Sequence, residues 1–235
     1  MPGDIVEQQG SDATDSPGAL YFSSSDLEMA ADGSRGNQSV GIIFDDIDTP
    51  QAATIDSAYI EFTAEEADSG PVTLRVTGVD RDNAQSWVGT YAVDNAVDSD
   101  GSDGSVGTSA IVSWTPGAWS SGESGTDDTR VEITDIVQEI VDRPGWQVDN
   151  DMAFAIQYIS GTDNREAERD PAPSLVLNWT TSETVPTSVY VDADGDGDVD
   201  NPTLLEVQVV LSYDAYGQRQ TVEFGTYIRR FGVGD

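Results

Sequence analysis

Residues 54–64 read Thr-Ile-Asp-Ser-Ala-Tyr-Ile-Glu-Phe-Thr-Ala. Ala58, Ile60 and Phe62 take every second position, and polar or amphipathic side chains lie between them. A period of two is typical of a β-strand that has one face buried and the other in water. The segment therefore predicts a half-buried strand of a sheet.

Similar strand-like runs recur along the chain, separated by turns rich in Gly, Asp and Ser. They cover residues 19–22, 39–44, 72–79, 110–114, 152–159 and 174–179. One helix is predicted between them, with Thr134 as its N-cap and an apolar face that continues until the Arg-Pro-Gly of residues 143–145. These elements predict an all-β fold, an antiparallel jelly-roll sandwich with one short helix and a C-terminal β-hairpin extension.

The pattern predicts four parts of the chain. They are a polar N-terminal arm at residues 1–18, the jelly-roll domain at 19–180, a linker with an Asp-rich loop at 181–203, and a hairpin at 204–235. Because an isolated hairpin is marginally stable in water, we expect this one to serve assembly or anchoring by packing on the jelly roll, a second copy or a partner. The residues expected to make the contact are Leu205, Val207, Val209, Leu211, Phe224, Tyr227, Arg229 and Arg230.

The chain is strongly acidic. Its 235 residues include 44 Asp and Glu against 10 Lys and Arg, a net charge of −34, and every one of these cations is arginine. Nucleic acid and anionic lipid are disfavoured as partners, because binding them requires cations that neutralise phosphate. Dense carboxylates without lysine favour a halophilic protein over an ordinary acidic one, since salt near 1 M shortens the Debye length to about 3 Å.

Histidine and cysteine are both absent from the sequence. This excludes Ser-His-Asp and Cys-His catalysis, zinc sites built from thiolate or imidazole, and disulfides. Catalysis would then need a pair of carboxylates, as in a glycosidase, or a metal bound by oxygens alone. No hydrolase motif surrounds any acidic pair, so we expect a protein that is not an enzyme.

Several blocks occur in an order that is typical of one family of modules. They are residues 24–29 (SSDLEM), 40–44 (VGIIF), 55–66 (IDSAYIEFTAEE), 80–84 (DRDNA), 112–114 (VSW), 119 (W), 136–141 (IVQEIV) and 143–146 (RPGW). Over about residues 20–179 the chain resembles the disaggregatase-related-repeat, carbohydrate-binding-module-like jelly rolls. The resemblance implies a jelly-roll fold and a role as a glycan binder, a stalk domain or a structural part of a surface protein.

The same resemblance implies a structural calcium ion between the first strand and the segment before the last. The matching positions are Asp26 and Glu28 at the front and Glu168 and Asp170 at the back. Calcium takes about six to eight oxygen ligands, so carboxylates from two segments would hold the jelly roll closed. The alternative is that these four side chains belong to the general acidic coat.

A second candidate calcium site is an Asp-rich loop at residues 192–200. Its spacing matches the opening of an EF-hand loop, with acids at the first, third, fifth and ninth positions and Gly197 at the sixth. The twelfth position, usually a bidentate Glu, is Thr203, so the loop is not a full EF-hand, and a solvated acidic linker is the alternative. The candidate ligands are Asp192, Asp194, Asp196, Asp198 and Asp200.

The tryptophans suggest a sugar-binding surface, because an exposed indole face stacks on the C–H groups of sugars. Trp87, Trp119 and Trp146 lie in turns or polar loops and are the candidates for glycan binding. Trp114 and Trp179 end apolar strands, and we expect them in the core.

The start of the chain shapes the functional hypothesis. Met1-Pro-Gly-Asp is followed by mostly polar residues up to Ser16, without a signal peptide or a transmembrane run. We expect an extracellular, homo-oligomeric capsid decoration, turret or tail component on a halophilic virion. Its partners would be other structural proteins and possible cell-surface glycans, without nucleic acid or membrane insertion. The alternative is a secreted or cell-surface adhesin or pilus-associated glycan-binding module of a halophilic archaeon or bacterium, with its leader removed.

Overall fold

The structure, a computed structural model, describes residues 2–31, 33–98, 106–181, 205–215 and 218–228. The chain divides into two compact units, Met1–Glu183 and Thr184–Asp235. The strands of the first unit are β1 (Pro2–Gln8), β2 (Leu20–Tyr21), β3 (Asp26–Glu28), β4 (Ser39–Ile47), β5 (Thr54–Glu61), β6 (Val72–Val79), β7 (Gly107–Trp114), β8 (Arg130–Glu132), β9 (Asn150–Gly161), β10 (Glu166–Glu168) and β11 (Ser174–Thr180). Its helices are α1 (Ala92–Val97) and α2 (Thr134–Val141), with a 3-10 turn at Gly33–Arg35.

The first unit is built from antiparallel sheets. Six strands form one sheet in the order β2-β1-β4-β9-β6-β7. The other strands form a sheet ordered β11-β5-β8 and the short pair β10-β3. One hydrophobic core draws on both sets of strands, and the predicted all-β sandwich is confirmed.

The alternation at residues 54–64 is explained by how β5 packs. Ala58 and Ile60, together with Phe62 just beyond the strand, are fully or almost fully buried in the core. The Phe62 ring stacks on Trp114, with 5.6 Å between the ring centroids. Burying a large apolar side chain stabilises the fold by about 1.5–3 kcal/mol, so β5 is a principal link between its sheet and the core.

The helix predicted near residue 134 is α2. Its apolar face is buried, and the helix packs beside β5 and β7. Thr134, predicted as the N-cap, is instead the first helical residue, and its hydroxyl accepts the Ala58 N–H at 2.9 Å. The second short helix, α1, is an addition that the sequence pattern did not predict.

The N-terminal residues differ from the expected polar arm. Residues 2–8 form β1, which pairs with β4 and β2 inside the six-stranded sheet. Its polar side chains are buried as well as its apolar ones, and Gln8 is held by Asp94 at 2.5 Å and by the Val93 N–H at 2.8 Å. Hydrophobic patterning missed this strand because Glu7, Gln8 and Gln9 are polar residues that this fold buries.

The second unit contains the predicted hairpin. Strands β12 (Leu205–Ala215) and β13 (Gln218–Ile228) pair antiparallel in unbroken register from Leu205↔Ile228 to Ala215↔Gln218. The predicted assembly residues between Leu205 and Tyr227 lie on these strands, while Arg229 and Arg230 lie outside the described residues. Within the described parts of the chain, no helix is long and apolar enough to cross a membrane.

Candidate metal centre

Three short extended segments lie side by side at one edge of the first unit. β3 pairs with β10, so that Asp26 is opposite Glu168 and Glu28 is opposite Glu166. Residues 63–65, which continue β5, run along the other side of β10. The Glu65 N–H donates to the Glu166 carbonyl at 2.8 Å there.

The alternation of a strand divides these segments into an apolar face and an acidic face. Leu27, Ala64 and Ala167 are fully buried and belong to the hydrophobic core. The acidic residues on either side of them are half-buried. They are Asp26, Glu28, Glu65, Glu166 and Glu168.

Three of these carboxylates converge. One oxygen each from Asp26, Glu65 and Glu166 lies within 4.8 Å of the others. The three residues come from segments far apart in sequence, so the pairing of β3, β10 and residues 63–65 creates the cluster. We call these three residues the acidic triad.

The acidic triad concentrates negative charge. Burial raises the pKa of the Glu65 carboxyl above its ordinary value, and Asp26 and Glu66 add to the effect. Burial also raises the pKa of Glu166, with Asp68 and Glu66 adding to it, although a 3.1 Å hydrogen bond from Asn164 works in the opposite direction. A bound cation would remove this repulsion, because an opposite charge within a few ångströms favours the ionised carboxylates.

Arg165, which follows Asn164, makes its hydrogen bonds with groups outside the acidic triad. Arg165 is almost fully buried and donates to backbone carbonyls, including Gly117 at 2.8 Å and Gly70 at 3.0 Å. These bonds tie together loops from distant parts of the sequence. Arg165 therefore has a structural role in the loops beside β10.

A buried acid lies next to the triad. Glu7 on β1 is fully buried, and its Oε1 accepts the Glu28 N–H of β3 at 2.7 Å. Among the described residues its Oε2 has no hydrogen-bond partner. Burial raises the pKa of Glu7 to about 7, and nearby Asp26 adds to the effect. Arg35 and Arg169 act on the Glu7 pKa in the opposite direction, so the surroundings of β3 hold several acids together with two cations.

The donor set of the triad fits a hard cation. Carboxylate oxygens are the preferred ligands of Ca²⁺, which takes about six to eight of them at 2.3–2.6 Å in flexible geometry. The three residues offer up to six oxygens if each binds through both, and water can supply the rest. Zinc is less suitable, because its sites in proteins use sulfur and nitrogen as well as oxygen.

The residues predicted for calcium are placed differently from one another. Asp26 belongs to the acidic triad, and Glu168 lies opposite it in the β3–β10 register. The carboxylate of Glu28 instead accepts a weak hydrogen bond from Gln38 at 3.4 Å. Asp170 lines a surface groove, and the carboxylates that converge with Asp26 are those of Glu65 and Glu166.

The sequence did not predict Glu65 and Glu166 as members of the acidic triad, and the reason is physical. Residues 26–28 and 166–168 both read acid, apolar, acid, which predicts two strands with acids on one face. That signal was present, but the register between the strands decides which acids meet. The participation of Glu65 depends on β10 lying beside residues 63–65, which the local sequence does not reveal.

The other candidate calcium ligands belong to the Asp-rich loop. Asp192, Asp194, Asp196, Asp198 and Asp200 all lie outside the described residues. A calcium site in this loop stays a prediction.

The three tryptophans proposed as sugar platforms are buried. Trp87, Trp119 and Trp146 expose only 5%, 3% and 1% of their surface. The indole N–H of Trp119 donates to the Asp128 carbonyl and that of Trp146 to the Thr49 carbonyl, both at 2.8 Å. Rings buried to this extent are not available to stack on a sugar, because Trp119 and Trp146 belong to the main hydrophobic core and Trp87 to a second cluster.

No family model matches the chain, and no curated protein matches it significantly.

Proposed function

We propose that this chain is a non-enzymatic structural and attachment protein, built on a calcium-stabilised jelly-roll module and exposed on the surface of a halophilic virion. The observation that carries the proposal is the acidic triad, in which Asp26, Glu65 and Glu166 converge from three segments. A cation bound there would hold these segments together. Such an ion suits a module whose role is mechanical and which works outside the cell.

The charge of the chain supports the proposed setting. A net charge of −34 without any lysine is suited to molar salt, where screening suppresses self-repulsion. The C-terminal hairpin supplies a means of assembly with other copies and with other structural proteins, because two strands alone are marginally stable. The sequence contains neither histidine nor cysteine, so Ser-His-Asp and Cys-His nucleophile systems are excluded.

Calcium-dependent melting tests the metal part of the proposal. The wild-type chain is melted in molar KCl at constant ionic strength, once with CaCl₂ and once with a chelator. Binding at 100 times Kd stabilises a protein by about 2.7 kcal/mol, so we expect the Tm to rise by several degrees with calcium. The double variant Asp26→Asn/Glu65→Gln should lose this increase.

A matched control removes two acids from elsewhere on the surface. Asp56 and Asp127 are exposed and lie outside the acidic triad, so Asp56→Asn/Asp127→Asn should keep the full calcium response. An equal response in both double variants would contradict a site at the triad. No response in the wild type would remove calcium from the proposal altogether.

The proposed setting has its own test. Virus particles from a halophilic culture that produces this chain are purified by density gradient and analysed by mass spectrometry. We expect the intact chain to co-purify with the particles in constant ratio to the major capsid protein. Recovery in the secreted fraction or on the cell envelope, with none on particles, would instead support an adhesin.

A further inference from the structure

A groove opens along one edge of the first unit. It has a volume of about 770 Å³ and runs between the end of β4, at residues 44–49, and residues 170–179 on and before β11. We infer that this groove receives the C-terminal hairpin of a second copy of the chain, which adds its strand β13 to the open edge of β11. This rests on the proposed assembly role of the hairpin and names the surface that receives it.

Hydrogen bonds on β5 show which of its backbone groups face away from β11. The Ala58 carbonyl accepts the Ile133 N–H at 2.8 Å, and the Ala58 N–H donates to Thr134 Oγ1 at 2.9 Å. The backbone N–H and C=O of Ala58 therefore face β8 and α2. The backbone groups of successive residues in a strand face opposite sides, so those of Tyr59 face β11.

The register between β5 and β11 completes this argument. Tyr59 lies opposite Val176, so the backbone groups of Val176 are used within the sheet. The N–H and C=O groups of Leu175 and Leu177 then face the open edge of β11, and both residues line the groove. Among the described residues no strand lies on that side of β11, since the sheet order is β11-β5-β8.

The side chains of β11 also indicate a missing neighbour. Leu175, Leu177 and Trp179 pack against the hydrophobic core, yet all three are only partly buried. On the adjacent strand β5, Ile55 and Ile60 are buried in the same core. A further strand over β11 would cover the exposed part of these three side chains.

Two other strands show how this fold covers its edges. β10 continues the line of β11 and is covered by β3. At β7 the Glu139 carboxylate accepts the Ser109 N–H at 2.7 Å and the Ala110 N–H at 2.8 Å. An uncovered edge next to an apolar groove is suited to strand addition, in which backbone hydrogen bonds and alternating side chains hold the partner.

Charge identifies the occupant. Four aspartates line the groove: Asp45, Asp46, Asp48 and Asp170. An added strand should therefore carry cations, which are scarce in a chain with only ten arginines. β13 contains Arg219 and is followed directly by Arg229 and Arg230. Docking of one copy's hairpin in the next copy's groove joins two different surfaces, so it produces a ring or a filament.

Charge exchange between copies tests the inference. Asp48→Arg/Asp170→Arg reverses two exposed groove residues, and Arg229→Asp/Arg230→Asp reverses the cations after β13. Masses of the full-length chains are measured by light scattering in molar KCl over a concentration series. We expect the wild type to associate, and each double variant alone to associate several-fold more weakly, with a difference that shrinks as the KCl concentration is raised.

Mixing the two variants is the decisive step, because each then offers the other a complementary surface. We expect the mixture, and the chain that carries all four substitutions, to recover wild-type association. The control Asp56→Arg/Asp127→Arg, with the same charge change outside the groove, should associate normally. A rescued mixture cannot be explained by misfolding of either variant.

Three results would overturn the inference. One is a double variant that associates like the wild type, and another is a mixture that shows no recovery. Either result leaves the proposed assembly role standing with a different receiving surface. A wild type that remains monomeric at every concentration would contradict the groove and the assembly role together.

Discussion

β10 and β11 follow one another along the same side of β5, yet their outer edges are treated differently. β10 is covered by β3, and acids from both strands and from residues 63–65 converge over it. β11 has an apolar, acid-lined groove where β10 has a neighbouring strand. Among the described residues, this module therefore closes one half of the edge with its own chain, where carboxylates suited to a cation converge, and leaves the other half without a neighbouring strand.

A Leu→Ala substitution should lower the free energy of unfolding by different amounts in the two halves of the edge, the β10 half covered by β3 and the β11 half. Leu27 on β3 is fully buried, whereas Leu177 on β11 is partly exposed. We expect Leu27→Ala to lower the free energy of unfolding by about 2–5 kcal/mol, the usual range for a buried leucine. Leu177→Ala should cost clearly less, because part of its side chain is already in water. Urea denaturation of both variants in molar salt measures the difference, and equal losses would contradict the contrast between the halves.

Glu7 provides a pH-dependent test of the closed half. Its pKa in the folded chain is raised to about 7, so its protonated form favours folding. That stability is complete below the ordinary pKa of 4.5 and is lost as pH rises through 7. Glu7→Gln stays neutral, and we expect it to be more stable than the wild type at pH 8 by roughly 2–3 kcal/mol.

The Glu7 comparison is made with a chelator present, so that calcium does not neutralise nearby acids. At pH 4 the two chains should unfold at nearly the same urea concentration, because Glu7 is then protonated. A variant that is less stable than the wild type at pH 8 would show that the ionised carboxylate has a favourable partner.

The smallest expected effect concerns a surface ion pair on the opposite side of β5. Arg130 on β8 donates from Nε and Nη2 to Glu61 Oε2, both at 2.7 Å, and the pair is partly exposed. Exposed pairs contribute about 0.2–1 kcal/mol, and molar salt screens them further. We expect Glu61→Gln to change the free energy of unfolding by less than about 1 kcal/mol. A larger loss would mean that surface pairs, and not edge closure, dominate this sheet.

The spacing of apolar residues in the sequence was sufficient to predict the elements that bury one regular apolar face. The alternation around Ile60 predicts β5, and the apolar face around Ile136 and Ile140 predicts α2. β1 was missed because Glu7 and Gln8 are polar yet buried, and their burial depends on groups from distant segments, such as the Glu28 N–H and Asp94.

The acidic triad was predicted only in part, because it also depends on contacts between distant segments. Asp26 was predicted, but Glu65 and Glu166 join it through a register between segments that lie 39 and 140 residues further along the chain. The tryptophan prediction used the turn residues next to Trp119 and Trp146, whereas both rings are buried and their N–H groups donate to the carbonyls of Asp128 and Thr49. Contacts set by register and by loop packing cannot be deduced from a single sequence.

Hydrogen–deuterium exchange of the full-length chain, with and without calcium in molar KCl, compares the two halves of the edge directly. The account predicts that calcium slows exchange in peptides covering residues 26–28, 63–65 and 166–168, and leaves β11 unchanged in dilute, monomeric protein. Equal slowing across β10 and β11, or no slowing near Asp26, would contradict a cation that closes only the β10 half.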